Sequence, residues 1–349
     1  MKLSLEGRTV LITGAAGFIG ANLAERLLKD RAGVRVIGID NMNPYYDVSL
    51  KEMRLSRLEK FENFCLIRGS IADPETVGQV FETYAPSVVV NLAAQTGVRY
   101  SLTNPDAYIE SNLIGFFRIL EACRHSLDGG KKGVEHFVYA SSSSVYGCNE
   151  KVPYSVQDKA DSPVSLYAAT KKSDEMMAYA YSSLFQIPTT GLRFFTVYGP
   201  AGRPDMAYFR FTDKLVRGET IEIFNNGDMY RDFTYIDDTV AGITKVLQAP
   251  PSPDAGGTPH KLYNIGNCRP ENLLTFVETL ERCLMEQGVI DRPGKKTFLP
   301  MQAGDVYQTC ADMEETERDF GFRPHTGLYE GLSEFVKWYR GYRGKETTP

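Results

Sequence analysis

The sequence predicts an α/β protein built on a doubly wound parallel sheet, with a smaller, discontinuous α/β substrate domain. Three observations carry this expectation. Short β-branched runs alternate with helix-length segments from Thr9 to Phe194. The first run passes through a glycine turn, Gly14-Ala15-Ala16-Gly17-Phe18-Ile19-Gly20, into the first helical pattern. After Phe195 the rhythm breaks into shorter pieces interrupted by Gly and Pro.

In order, strands are expected at Thr9 to Thr13, Val34 to Ile39, Phe64 to Arg68, Ser87 to Leu92, His136 to Ser141 and Pro188 to Phe194. Helices are expected between them at Phe18 to Lys29, Val48 to Lys60, Pro74 to Tyr84, Pro105 to Leu127 and Tyr167 to Phe185. Pro74 and Pro105 suit a first helical turn, where the missing N–H costs nothing, and Asp73 and Asn104 stand ready as caps. Beyond Phe195 we expect a helix from Met206 to Arg217, a strand at Ile221 to Phe224, a surface loop from Ala249 to Pro259 and a last helix from Gly331 to Arg340. The expected division is a larger domain of residues 1–195 and 233–265, and a smaller one of residues 196–232 and 266–345.

A chain of 349 residues with 42% hydrophobic and 24% charged content can bury a large core without disulfide or metal staples. Its 39 basic and 44 acidic residues leave a net charge of −5, which does not suggest a nucleic-acid partner. No apolar run is long enough to span a membrane, and the opening residues carry no hydrophobic signal core, so a cytoplasmic location is expected. The six cysteines form no CxxC pair and the four histidines no metal-type spacing; reduced cysteines and no metal are expected.

The glycine turn has GxxGxxG spacing between a strand and a helix. Its glycines allow a tight turn, let the backbone approach a pyrophosphate and turn a helix N-terminus toward that anion, as in Rossmann-type nucleotide sites. Asp40 closes the second strand 20 residues after Gly20. A carboxylate there accepts a hydrogen bond from a ribose hydroxyl and repels a 2′-phosphate, which favours NAD over NADP.

Tyr167 and Lys171 stand four apart on a helix, hence on one face. An ammonium there favours the phenolate, making Tyr167 a general base for a sugar hydroxyl. The run Ser141-Ser142-Ser143-Ser144 ends a strand, and open α/β sheets bind ligands at the carboxyl ends of their strands. These hydroxyls should therefore share the cleft with Tyr167.

With these residues the chain resembles the extended short-chain dehydrogenase/reductases, and among them the nucleotide-sugar epimerases, most closely the UDP-glucuronate 4-epimerases. The resemblance runs from about Arg8 to Gly341. It rests on Gly14 to Gly20, Asp40 to Tyr46, Asn91 to Tyr100, the serine strand, Tyr167 with Lys171, Arg193 to Pro200 and Gly202 to Ala207, together with Arg231-Asp232-Phe233 and Gly304-Asp305-Val306. It implies NAD as cofactor, held by Gly14, Gly17, Phe18, Ile19, Gly20, Asp40, Asn41, Asn43, Ser70, Ile71, Leu92, Ala93, Ala94, Gln95 and Asn112 with Tyr167 and Lys171. It implies a UDP-sugar held by Arg99, Ser142, Ser143, Ser144, Thr196, Arg203, Arg231 and Asp305, and Tyr167, Lys171 and Ser142 as the catalytic set. It also implies a homodimer paired through the helices at Pro105 to Leu127 and Tyr167 to Phe185, which carry the exposed-looking apolar residues Phe116, Phe117, Met176, Met177 and Tyr181; these residues also fit a core. Two departures stand out. Ser70 replaces the aspartate common after Gly69, and Ala201 replaces a frequent tryptophan, a position expected to shape the sugar end of the pocket.

Within that resemblance four reactions compete, all opened by oxidation at C4. Dehydratases carry an acid and a base at what are here Ser143 and Ser144, and decarboxylases a glutamate at the Ser144 position. Neither serine ionises, which leaves 4-epimerisation through a 4-keto intermediate with transient hydride transfer to bound NAD. Arg203 favours a uronate over a neutral hexose, since a planar fork suits a carboxylate, with a salt bridge to Asp205 as the plainer reading. UDP-glucose epimerisation, UDP-glucuronate decarboxylation and a non-catalytic NAD-binding sensor or scaffold are the alternatives.

Overall fold

The computed structural model of the protein describes residues 2–30, 32–130, 132–301 and 306–346. The strands are β1 (Thr9–Thr13), β2 (Arg35–Asp40), β3 (Phe64–Arg68), β4 (Val88–Asn91), β5 (His136–Ser142), β6 (Thr189–Phe194), β7 (Thr196–Tyr198), β8 (Ile221–Ile223), β9 (Tyr230–Tyr235), β10 (His260–Ile265), β11 (Pro270–Asn272) and β12 (Lys296–Phe298). The helices are α1 (Phe18–Asp30), α2 (Ser49–Leu58), α3 (Pro74–Tyr84), α4 (Tyr100–Thr103), α5 (Pro105–Tyr108), α6 (Gly115–His125), α7 (Leu166–Phe185), α8 (Ala207–Val216), α9 (Ile236–Leu247), α10 (Leu273–Glu286), α11 (Glu314–Phe320) and α12 (Leu328–Glu346).

Seven parallel strands form the main sheet in the order β3-β2-β1-β4-β5-β6-β10. The strand order reverses between β1 and β4, and that reversal opens a crevice at the carboxyl ends of the strands. The strands read as continuous apolar runs because both sheet faces are covered. Val10 and Ile12 pack into one core layer with α1, while Leu11 between them packs into the other with Val77 of α3 and Ile119 of α6. No helix among the described residues is long and apolar enough to cross a membrane.

The first six expected strands form within one or two residues of their expected bounds. The seventh, β10, and the helix before it, α9, follow the Gly/Pro-interrupted stretch and were not expected. The smaller sheets are β11-β9-β7 and β12-β8. The boundary expected at residues 232 and 233 falls inside β9; the chain returns to the main sheet one element later, where α9 packs against α1.

Two local expectations change. Asp73 caps α3 as expected, accepting from the Glu75 and Thr76 amides. Asn104 caps nothing; its amide donates to the Tyr100 hydroxyl at 2.7 Å. The single helix expected over Pro105 to Leu127 is also interrupted, since Ile109–Ile114 winds as a π-helical stretch between α5 and α6. Such widened turns redirect a side chain toward a neighbouring site. Here Asn112 turns inward, accepting from the Gln95 amide at 2.8 Å and donating to the Gln95 carbonyl at 3.1 Å and the Thr170 hydroxyl at 2.9 Å.

Candidate active site

The crevice at the strand reversal begins at the glycine turn. Gly14 holds φ +69°, and a Cβ there would come within 2.8 Å of the Ala93 nitrogen. Cβ atoms at Gly17 and Gly20 would press on the Gly14 carbonyl oxygen. All three glycines are therefore demanded by the close approach of β1, the α1 N-terminus and the chain after β4. Asp40 locks the turn from β2, accepting from the Ala16 amide at 3.0 Å, the Met42 amide at 2.9 Å and the Lys51 ammonium at 3.2 Å. A cradle of bare backbone at a helix N-terminus, with a carboxylate at the end of β2, fits a dinucleotide.

The chemistry lies further along the same cleft. Ser165 caps α7 through the Ala168 amide, which sets the rotation of the helix that carries Tyr167 and Lys171. The buried stripe of α7 includes Lys171, Asp174 and Glu175, three charges where a helix ordinarily places apolar residues. Lys171 donates to the Ala140 carbonyl and to Asp174, both at 3.0 Å. Burial pushes the Asp174 carboxyl up to about 7 against the pull of Lys171, and its second oxygen is buried with no hydrogen-bond partner. Burial would also raise Glu175, but a bidentate pair with Arg193 at 2.8 Å holds it below the usual carboxylate range. Glu175 also accepts from Ser141 at 2.6 Å, which ties the helix carrying Tyr167 to the serine strand.

Ser142 faces the cleft at the end of β5, its oxygen accepting from the Ser144 amide at 3.2 Å and the Ser144 hydroxyl at 2.9 Å. The ring of Tyr108 stands edge-on to Tyr167 with centroids 6.1 Å apart. Arg203 reaches the cleft from the loop after β7, where Asp205 holds its Nε at 3.0 Å and its Nη2 at 2.5 Å. The salt bridge anticipated as the plainer reading of Arg203 therefore forms. It engages only the Nε/Nη2 edge, so the end-on Nη1/Nη2 edge remains for a ligand. Tyr45 donates to the same carboxylate at 3.3 Å, and burial followed by that charge pushes its phenol up to about 12.

Of the residues singled out from sequence, Gly14, Gly17, Phe18, Ile19, Gly20, Asp40, Asn41, Asn43, Ser70, Ile71, Leu92, Ala93, Ala94, Gln95, Ser142, Tyr167, Lys171 and Arg203 line this one cleft. Asn112 stands a layer behind, holding the backbone of Gln95. Ser144 turns toward Ser142, Arg99 lies over the Phe224 ring, and Arg231 donates to the Tyr230 and Tyr307 carbonyls. Ser143, just after β5, and Thr196, at the start of β7, flank the cleft without joining its wall. Asp305 and Gly304 lie outside the described residues. Ser70 spends its hydroxyl on the Ala72 amide, and Ala201 does not line the sugar end as expected but is fully buried beneath it.

Sequence reasoning missed Lys51, Arg54, Asp174 and Glu175. Their spacing on α2 and α7 reads as ordinary solvent-facing charge, and only the packing turns them inward.

A pyrophosphate turn, a ribose-type carboxylate and a Tyr–Lys pair in one crevice define a nucleotide-dependent enzyme of the doubly wound class. Residues 10–266 match the family described as the NAD dependent epimerase/dehydratase family. The chain is 48% identical to Protein CapI of Staphylococcus aureus, over 96% of this chain and 99% of that one. It is 44% identical to UDP-glucuronate 4-epimerase 2 of Arabidopsis thaliana, over 96% of this chain and 76% of that one. Among solved structures, UDP-glucuronic acid 4-epimerase of Bacillus cereus, in complex with UDP-glucuronic acid and NAD, superposes with a TM-score of 0.85 at 32% identity, covering 96% of this chain and 99% of that one. The chain belongs to the NAD dependent epimerase/dehydratase family.

Proposed function

We propose that the protein interconverts UDP-glucuronate and UDP-galacturonate by epimerisation at C4. The observation that carries this reading is the charge layout of the cleft. Among the described residues lining it, the one carboxylate is Asp40, at the nucleotide end, whereas Tyr167 and Arg203 face the sugar end. Among the described residues lining the cleft no acid stands beside Tyr167 to serve an elimination, and Arg203 offers an open edge to a substrate carboxylate. The relatives named for UDP-glucuronate 4-epimerisation support the same substrate.

In this reading the glycine turn and Asp40 hold NAD, which supplies a reversible hydride acceptor. Tyr167 takes the C4 hydroxyl proton and later returns it, with Ser142 hydrogen-bonded at the same oxygen. Lys171 supports the phenolate from below. Arg203 holds the substrate carboxylate against the alignment, perpendicular to the C4 carbonyl plane, in which a β-keto acid loses carbon dioxide. The proposed substrate-binding residues include Ser143, Ser144 and Thr196 at the sugar, Arg231 at the diphosphate, Asp305 at the uridine ribose, and Arg99, with the domain of residues 196–232 and 266–345 holding the UDP end. The separate β12-β8 sheet lies within those residues and supports the division, whereas β9 crosses its boundary.

We further propose a homodimer paired through α6 and α7, where Phe117, Met176 and Leu184 are exposed beside Ile114 of the π-helical stretch; Phe116 is instead buried in the core, with Met177 and Tyr181 packed against it. A cytoplasmic location fits six free cysteines.

The test is the product spectrum on UDP-glucuronate, followed through the anomeric protons. UDP-galacturonate supports the reading. UDP-xylose with released carbon dioxide, or turnover of UDP-glucose alone, overturns it. Arg203→Ala is expected to lose uronate turnover and leak decarboxylated sugar; wild-type uronate kinetics in that variant would remove Arg203 from the carboxylate site.

A further inference from the structure

Arg54 lies on α2 and has no part in the reading above. Its side chain is completely buried, and among the described residues its guanidinium meets no carboxylate. Its four hydrogen bonds all go to neutral oxygens. Nε donates to the Ala201 carbonyl at 2.9 Å and Nη2 to the Gly202 carbonyl at 3.0 Å. Nη1 donates to the Ala16 carbonyl at 3.0 Å and to the Tyr46 hydroxyl at 2.7 Å.

Ala201 and Gly202 are the two residues before Arg203, and their turn is unfavourable on its own. Ala201 holds φ +56°, a left-handed conformation that a residue with a side chain avoids. At Gly202 a Cβ would overlap the Tyr208 hydroxyl, so the chain is pressed against α8. One planar fork grips both carbonyls of that turn. Its other arm holds Ala16, whose amide is fixed by Asp40 within the glycine turn. A single buried cation thus joins the nucleotide turn to the turn that delivers Arg203.

We propose that Arg54 is a positioning residue for Arg203: it fixes the direction from which the carboxylate-binding guanidinium enters the cleft, and so sets the preference for a uronate without touching the substrate. The inference rests on the proposed role of Arg203. Lysine cannot substitute, because one ammonium cannot serve two adjacent carbonyls and a hydroxyl from fixed directions in a plane.

The test uses NAD-loaded wild type, Arg54→Lys, Arg54→Gln, Arg203→Ala and the Arg54→Lys/Arg203→Ala double variant, each verified by circular dichroism and cofactor content. For each, the dissociation constants of UDP-glucuronate and of UDP-glucose are measured by calorimetry, a readout that does not need turnover. Both Arg54 variants are expected to raise the uronate Kd at least about tenfold, the scale of a misplaced charge-assisted hydrogen bond. The UDP-glucose constant should move by less than about twofold, and Arg54→Lys should add nothing in the Arg203→Ala background. Equal weakening of both ligands, or losses that multiply in the double variant, overturns the inference and leaves Arg54 as ordinary scaffolding. A wild type that does not turn over UDP-glucuronate fails the functional reading itself and takes this inference with it.

Discussion

A lysine favours a neighbouring phenolate only as far as its own charge is not cancelled. Lys171 is buried at 3.0 Å from Asp174, so the ionisation of Asp174 sets how much positive charge Tyr167 feels. Burial raises the Asp174 carboxyl to about 7, so it becomes charged as pH rises through neutrality and then opposes Lys171. Asp174→Asn keeps the shape and removes that opposition. The acid limb of the kcat–pH profile should move down by about half to one pH unit, and an unmoved limb would show that Asp174 does not tune the base. Tyr167→Phe should lower kcat about a hundredfold or more while NAD stays bound; cofactor content and anomeric proton spectra read the two effects separately.

The glycine turn is an element whose three glycines answer to two contacts, Gly14 with Ala93, and Gly17 and Gly20 with the Gly14 carbonyl. Gly14 fails any replacement twice over, by its positive φ and by its approach to Ala93. Gly14→Ala should cost about 1–2 kcal/mol in the left-handed conformation alone, before the clash with the chain after β4 is counted. Thermal unfolding and NAD titration should both worsen, and a variant with wild-type cofactor affinity would contradict the pyrophosphate assignment. Helix α7 carries the opposite kind of constraint, since its buried face is charged. Glu175 accepts from Ser141, Lys172 and Arg193, so the serine strand, α7 and β6 are held as one unit under the cleft.

For the whole molecule, acid is the condition to which the sheet should respond. His136, at the start of β5, is fully buried between the Leu247 carbonyl and the Thr190 hydroxyl, and burial lowers its pKa from 6.5 to about 4. The unfolded chain therefore binds more protons between those values. The stability this residue contributes is complete above pH 6.5 and is lost as pH falls toward 4, by up to about 3 kcal/mol. His136→Gln should flatten the difference between melting curves taken at pH 7.5 and pH 4.5; an unchanged difference would place the acid sensitivity elsewhere. Sedimentation should return twice the 39.0 kDa of one chain, whereas a monomer would leave the exposed face of α6 and α7 without the proposed partner.

Local signals made the first half of the fold legible. β-Branched runs, the Asp73-Pro74 cap and the GxxGxxG turn each depend on neighbours in sequence, and they recovered six strands, the nucleotide cradle and the Tyr167–Lys171 face. What sequence could not show are contacts between distant segments. β10 joins the main sheet only by pairing with β6, so nothing local announces it. Asn104 has the right residue type for a cap, yet its amide nitrogen turns to a nearby tyrosine hydroxyl and its oxygen caps no helical amide. Arg54, Asp174 and Glu175 look like surface charges until the helices that carry them are packed. A buried charge is decided by which oxygens the rest of the chain places around it. The sequence by itself therefore determined the class of chemistry, through residue types held at fixed short spacings. Only the tertiary structure decided how Arg203 and Lys171 are partnered, because Asp205, Asp174 and Arg54 act on them through burial and distance.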